Sequence, residues 1–222
     1  VVSAKNPRKW GRLFDCRAMF VEAPRGGGRL PSVRITLPDG TVVTSEQRDL
    51  NQILSTVVGR EVTFATTAPQ APSLEEYWPD IDGLAHRETI TDEVMPSGTF
   101  FDCAVIHMLT TATIDRLREL YPQGRFEVRR FRPNIVVEVA SGEKGFVENA
   151  WMGRTFAIGN EVRFNITGPC PRCVMTTWPQ GDLPKAPGIL RAAAQHNQAN
   201  VGVYAAVVRG GTIRRGDSVK LE

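Results

Sequence analysis

Apolar and polar residues alternate over several short stretches of the chain, which is the pattern of half-buried β-strands. The stretch 31–45, PSVRITLPDGTVVTS, alternates on both sides of Pro38-Asp39-Gly40 and predicts two strands joined by a tight turn. Further strands are predicted at Val105-Ile106, over 134–139, 161–168 and 200–208, and in a closing hairpin over 210–222. Many short strands with frequent turns are typical of a barrel or a sandwich.

Three stretches instead place apolar residues three and four positions apart, as a helix does. The first is 45–60, with Ser45 as the expected N-cap and Gly59 as the expected end. The second starts near Thr111, and the third covers 186–199. Between the first two helices, residues 65–99 are rich in proline and aspartate with little periodicity, so we expect a linker or a long ordered loop there.

The composition excludes several classes of protein. With 41% hydrophobic and 23% charged residues among 222, the chain is an ordinary globular protein. A net charge of +3 without any basic block argues against nucleic acid as a partner, and no apolar run approaches the roughly 20 residues of a membrane span. Four cysteines and no signal peptide favour the cytoplasm. Without an initiator methionine, the chain is expected to begin inside a longer sequence.

The candidate chemistry lies in GPCPRC, residues 168–173. The spacing of Cys170 and Cys173 suits a zinc knuckle, a redox disulfide, a disulfide staple or a single metal-binding thiolate. Zinc is weakly supported because the remaining cysteines and the three histidines are isolated along the chain. A pair of buried, inert cysteines is the plainest interpretation. The adjacent Arg172 argues against it, since a guanidinium next to a thiol favours the thiolate that binds soft metals.

Four sequence blocks carry a resemblance to a known family. They are FRPNIVVEV (131–139), GFVENAW (145–151), AIG (157–159) and GPCPRCVMTT (168–177), and the chain ends on GGTIRRGDSVKLE. In order and spacing they resemble the MOSC family, the domain shared by molybdenum cofactor sulfurases and amidoxime-reducing enzymes. Residues 1–65 resemble the β-rich domain that precedes MOSC in the amidoxime-reducing group.

The resemblance implies a fold that is mainly β with some helix. It predicts a β-rich N-terminal domain over 1–65, truncated at its start, a linker over 66–84 and a MOSC β-barrel over 85–222, with the barrel packed against the smaller domain.

The resemblance also implies a cofactor, the molybdenum cofactor (molybdopterin), and its site residues. Cys173 corresponds to the cysteine that binds molybdenum. The residues expected to contact the cofactor are Arg132, Asn134, Arg172, Asp102 and Cys103. An arginine and an amide suit a phosphate group, and a thiolate suits a sulfur-rich metal centre. Cys170 is expected to pack beside Cys173, and His107 is expected to be a core residue outside the site.

By resemblance, the function is a molybdenum-dependent oxidoreductase that reduces N-hydroxylated compounds. Its electrons would come from a separate donor protein. Pro171 stands where the amidoxime-reducing enzymes often have a small hydroxyl residue, so one donor to the cofactor is missing. Two alternatives stay open: a non-catalytic carrier of the cofactor, or of sulfur as a persulfide on Cys173, and a degenerate domain that binds nothing.

Overall fold

The computed structural model of the chain describes residues 1–25, 29–139 and 142–222. These residues form two compact units. The first comprises Val1–Tyr77, Ile90–Phe100 and Pro179–Pro184, and the second comprises Trp78–Thr89, Phe101–Trp178 and Lys185–Glu222. Strands hold 28% of the chain and helices 24%, which confirms the prediction of a mainly β fold with some helix.

The first unit contains the predicted pair of strands around Pro38-Asp39-Gly40. After the short helix α1 (Pro7–Trp10), an antiparallel sheet runs in the order β1 (Arg17–Phe20), β2 (Val33–Thr36), β3 (Val42–Thr44). Gly40 adopts a φ of 84° in the turn between β2 and β3, a conformation that favours glycine. The turn chemistry read from the sequence is therefore correct.

The first predicted helix is shorter than expected at its start. It is α2 (Leu50–Val58), which ends at Gly59 in the left-handed conformation, as predicted. Its N-cap position is held by Asp49 and not by Ser45, because the Ser45 hydroxyl accepts a hydrogen bond from the Val33 amide instead, at 2.9 Å. Leu50 packs with apolar residues of the sheet in the core of this unit.

The stretch 65–99 contains two paired strands where a linker or loop was expected. They are β4 (Ser73–Trp78) and β5 (Thr89–Val94). The alternation of buried and exposed positions in β4 could not be recognised from the sequence, because one buried position is the charged Glu76. Its carboxylate pairs with the Lys5 ammonium at 3.1 Å. From the sequence alone, a charged residue is predicted to be exposed unless its distant partner is known.

The second unit is built on a six-stranded sheet that curls into a half-barrel. The strands are β6 (Ile106–Thr110), β7 (Ile135–Val137), β8 (Thr155–Ile158), β9 (Val162–Pro171), β10 (Asn200–Arg209) and β11 (Val219–Leu221). Their order is β11-β8-β9-β10-β6-β7, with only β6 and β7 parallel. The prediction of a closing hairpin over 210–222 is wrong, because the last strand, β11, pairs with β8.

Helices cover one face of this sheet. Consecutive residues of β6 point to opposite faces, so Met108 packs inside the curl while Leu109 packs against the helices. The helices are α3 (Thr111–Leu120), α4 (Val128–Phe131) and α5 (Gly188–Asn197). The predicted helices at Thr111 and over 186–199 are thus confirmed. No helix in the described ranges is long and apolar enough to cross a bilayer.

The GFVENAW stretch ties the start of α3 to the rest of this unit. Glu148 is fully buried, and its Oε2 accepts hydrogen bonds from the hydroxyls of Thr110 and Thr113, each at 2.7 Å. Thr110 is also the N-cap of α3, since its hydroxyl accepts from the Thr113 amide. Glu148 therefore has a structural role at the helix start.

Candidate functional site

Arg172, which directly follows β9, is the centre of a polar cluster in the second unit. The cluster also contains Cys170, Cys173, Tyr204, His107 and the FRPN turn. Arg172 Nη1 donates to the Cys170 sulfur at 2.7 Å, and its Nη2 donates to the Phe131 carbonyl at 3.0 Å. Its Nε is buried and has no hydrogen-bond partner among the residues described. A buried charged group that leaves one donor unused is costly, and such groups concentrate where a ligand supplies the acceptor.

Cys170 is held by two donors. The side chain is fully buried at the end of β9, and besides Arg172 it receives a hydrogen bond from the phenol of Tyr204 on β10. Burial raises the pKa of the Tyr204 phenol well above its ordinary value, and the neighbouring Cys170 adds to the effect. Tyr204 thus stays protonated and remains a donor. The expected role of Cys170 as simple packing is therefore incomplete.

Cys173 stands at the start of a short 3₁₀ turn, Val174–Thr177. Cys173 is 7% exposed, and its carbonyl accepts hydrogen bonds from the backbone amide and the hydroxyl of Thr176. Burial by itself would lower the pKa of Arg172, but Cys170, Cys173 and Tyr204 together raise it. Arg172 therefore stays charged between the two cysteines.

The backbone of GPCPRC does not favour a disulfide. Cys170 and Pro171 belong to β9, and Cys173 is also extended, with φ −113° and ψ −176°. Extended backbone moves Cα atoms apart by about 3.3 Å per residue, whereas the two Cα atoms of a disulfide lie about 4.4–6.8 Å apart. Both cysteines are accordingly thiols. The described part of the chain also holds no cluster of three or more His, Cys, Asp or Glu residues that could bind a metal ion.

The FRPN turn lies against Arg172. Helix α4 ends at Phe131, and its C-cap residue Arg132 has φ 53° and ψ 47°, a left-handed conformation that costs a non-glycine residue roughly 1 kcal/mol or more. The side chain of Arg132 is exposed and makes no hydrogen bond or ion pair within the described ranges. An unpaired arginine on a strained turn beside a buried arginine is an arrangement that suits an anionic ligand.

Asn134 fastens this turn to β6. The side-chain Oδ1 of Asn134 accepts a hydrogen bond from the backbone amide of His107 at 2.8 Å, and the backbone amide of Asn134 donates to the His107 carbonyl at 2.9 Å. The side-chain oxygen of Asn134, which was expected at the cofactor, is therefore already engaged with the backbone of the strand.

His107 is part of the cluster, although it was expected to be a core residue outside the site. Its ring is buried, with Nε2 3.0 Å from the Val201 carbonyl, and it also faces the carbonyls of Arg132 and Phe131. Burial and then the charge of Arg172 lower the pKa of His107 to about 4, so the ring is neutral at pH 7. The only available signal was its position in an apolar strand, which a core histidine shares.

Asp102 and Cys103 lie in the loop before β6. The Asp102 carboxylate accepts a hydrogen bond from the Cys103 amide at 2.9 Å, the local contact of a turn residue. Cys103 is exposed, and its charge, when ionised, acts on Tyr204. The fold thus brings the loop, through Tyr204, to the same cluster as Cys170 and Arg172.

A comparison with protein-family models decides the family. The model for the MOSC domain matches residues 96–220, which is more than half of the chain. The chain belongs to the MOSC domain family. MOSC domains are generally associated with binding of the molybdenum cofactor. In this MOSC chain, the matched range contains every residue of the cluster, and residues 1–65 lie outside it. A search of curated proteins finds no match.

Proposed function

We propose that this MOSC chain binds the molybdenum cofactor at the cluster of Cys173, Arg172 and Arg132, and that it reduces N-hydroxylated compounds. The observation that carries the proposal is Arg172, which contacts Cys170 and the FRPN turn and keeps a buried donor unused. Two sequence blocks that resemble the cofactor-binding motifs of the family therefore meet at one cation.

The residues fit the chemistry of the group. Molybdopterin carries a dithiolene, a phosphate and a heterocycle rich in hydrogen-bond acceptors, so its anionic groups need cations and N–H donors. Arg172 Nε is a buried donor without an acceptor, and Arg132 is exposed on the turn whose Phe131 carbonyl Arg172 contacts. Cys173 supplies the soft thiolate ligand that a sulfur-rich metal centre takes.

Each residue then has its own task. Cys173 binds the metal, Arg172 balances the negative charge around it, and Arg132 holds the phosphate. Asn134 contributes by fixing the Arg132 turn through its two bonds to His107, and Asp102 and Cys103 remain candidates for contacts to the pterin. When bound, the cofactor supplies two-electron oxygen-transfer chemistry. The protein supplies orientation and electrostatics, with electrons from a separate donor protein.

The test is metal analysis on the full-length protein, produced in a host that makes the cofactor. We expect molybdenum and an oxidised, fluorescent pterin in the wild type, and reduction of a hydroxylamine with an artificial electron donor. Cys173→Ala should lose the molybdenum and the activity.

Two results would contradict the proposal. Purified protein without molybdenum or pterin would exclude cofactor binding. Molybdenum-loaded protein that reduces no N-hydroxylated compound would exclude the reductase. A persulfide on Cys173 in mass spectra, with no molybdenum bound, would instead support the sulfur carrier.

A further inference from the structure

We infer that Arg130 is a positioning residue for Cys173, because its guanidinium fixes the short turn on which the proposed metal ligand stands. The inference deepens the proposed function and rests on it for the cofactor part. The structural part rests on the contacts between α4 and the turn Val174–Thr177. In this role Arg130 acts through the backbone and contacts neither cofactor nor substrate.

The Arg130 side chain extends from α4 to the backbone that follows Cys173. It is fully buried, and its Nη1 donates to two carbonyls, that of Thr176 at 3.2 Å and that of Trp178 at 3.4 Å. Its Nε donates to the Arg125 carbonyl at 2.9 Å, which fixes the inner part of the side chain. The planar guanidinium therefore holds the turn at a fixed distance from α4.

The turn needs an outside donor because its own sequence cannot supply one. In a 3₁₀ turn, each carbonyl accepts a hydrogen bond from the amide three residues later. For the Thr176 carbonyl that residue is Pro179, which has no N–H. The other end of the turn is closed locally, since the amide and the hydroxyl of Thr176 donate to the Cys173 carbonyl at 3.2 and 3.0 Å. Thr176 thus links Arg130 to the backbone of Cys173.

A second arginine holds the other side of Cys173. Arg172, directly before the cysteine, donates to the carbonyl of Phe131 at 3.0 Å, and Phe131 is the residue after Arg130. Each of the two segments therefore donates from one arginine to the backbone of the other, and Cys173 lies between the two points of attachment. Because Arg132 follows in the same segment as Arg130, these contacts also set the position of the thiol relative to the FRPN turn.

Amide hydrogen exchange on the full chain without cofactor tests the structural part. The amides of Thr176 and Trp178 are hydrogen-bonded within the turn, and the Ile166 amide, bonded to the Arg154 carbonyl, reports on opening of the sheet. In Arg130→Met, which keeps an apolar stem but has no donor, exchange at Thr176 and Trp178 should rise about tenfold more than at Ile166.

Two further variants separate a local effect from a general loss of stability. Thr113→Val removes a buried hydroxyl that donates to Glu148 at the start of α3, so any acceleration should be equal at Thr176 and Ile166. Arg130→Lys keeps the cation but has one nitrogen in place of the guanidinium fork, so exchange in the turn should rise by about threefold. It carries the test with the same measurements if Arg130→Met does not fold.

The reaction of Cys173 with iodoacetamide gives a second measurement on the same protein. The thiol is buried, so it reacts when its turn opens. Trypsin cleaves after Arg172, so Cys170 and Cys173 fall on separate peptides and mass spectrometry measures each rate. In Arg130→Met, alkylation of Cys173 should be about tenfold faster while that of Cys170 stays near the wild-type rate. Thr113→Val should change both rates equally.

Molybdenum content after gel filtration tests the cofactor part. The proteins are produced in a host that makes the cofactor. Arg130→Met should retain about tenfold less molybdenum than the wild type, and Thr113→Val should match the wild type.

Three results would overturn the inference. The first is exchange in the turn of Arg130→Met that rises no more than at Ile166. The second is an unchanged rate of Cys173 alkylation in that variant, and the third is molybdenum retention equal to that of the wild type. Wild type that binds no molybdenum refutes the proposed function instead, and the exchange and alkylation rates still decide whether Arg130 holds the Cys173 turn.

Discussion

Arg172 donates a hydrogen bond from Nη2 to the carbonyl of Phe131, which lies 41 residues earlier in the chain. The bond joins the end of β9 to the FRPN turn and places two of the MOSC sequence blocks in contact. Because the same guanidinium also binds the Cys170 sulfur, the arginine fixes the geometry of both blocks at once.

The two cysteines of GPCPRC should differ in their effect on stability. Cys170→Ala removes the acceptor of two buried donors, so the free energy of unfolding in urea should fall by about 2–3 kcal/mol. Cys173→Ala removes a small side chain and should cost about 1 kcal/mol. Its molybdenum content should drop to background. An equal loss of stability in both variants would show that Cys170 has no special role in holding Arg172.

Replacing the strained arginine should separate stability from binding. In Arg132→Gly the left-handed conformation is no longer penalised, so the free energy of unfolding should stay within about 1 kcal/mol of the wild type. Molybdopterin retention should fall by at least about tenfold, since a charge-assisted contact is worth about 1.5–3 kcal/mol. Arg132→Lys keeps the charge and serves as the matched control. Full retention in Arg132→Gly would remove Arg132 from the site.

Two adjacent arginines of α4 offer a comparison of buried and exposed cations. Arg130 is fully buried and donates to the carbonyls of Arg125, Thr176 and Trp178, whereas Arg129 lies at the surface near Glu127. Arg130→Ala should lower the free energy of unfolding by about 3 kcal/mol, because three carbonyls lose their donor. Arg129→Ala should change it by less than about 0.5 kcal/mol. Chemical denaturation of both variants measures the difference, and similar values would contradict it.

The stability of the second unit should depend on pH through His107. Its pKa in the folded chain is about 4, below the ordinary value near 6.5, so the unfolded chain binds more protons between these two values. The stabilisation is fully present above pH 6.5 and is lost as the pH falls toward 4, by up to about 3 kcal/mol. Urea midpoints of wild type and His107→Gln at pH 4.5, 5.5, 6.5 and 7.5 measure it. Parallel pH profiles would mean that another group controls the acid sensitivity.

Several features of the fold follow from the sequence alone because their causes are local. The turn at Pro38-Asp39-Gly40 and the end of α2 at Gly59 depend on the backbone freedom of single glycines. The helix from Thr111 follows from its apolar spacing and its cap. The MOSC resemblance was equally available, since the blocks that carry it are short, ordered stretches of sequence.

Other features depend on partners that are distant along the chain. Strand β4 is hidden in the sequence because Glu76 is neutralised by Lys5, 71 residues away, and β11 pairs with β8 where the sequence favours a local hairpin. The sulfur of Cys170 accepts from the nearby Arg172, but it gains its second donor because β10 brings Tyr204 beside it. His107 belongs to the cluster because Arg172 and the carbonyls of Phe131 and Arg132, all distant along the chain, lie near its ring. Residue type and spacing describe what a side chain can do, but burial and long-range pairing decide which of its options is used.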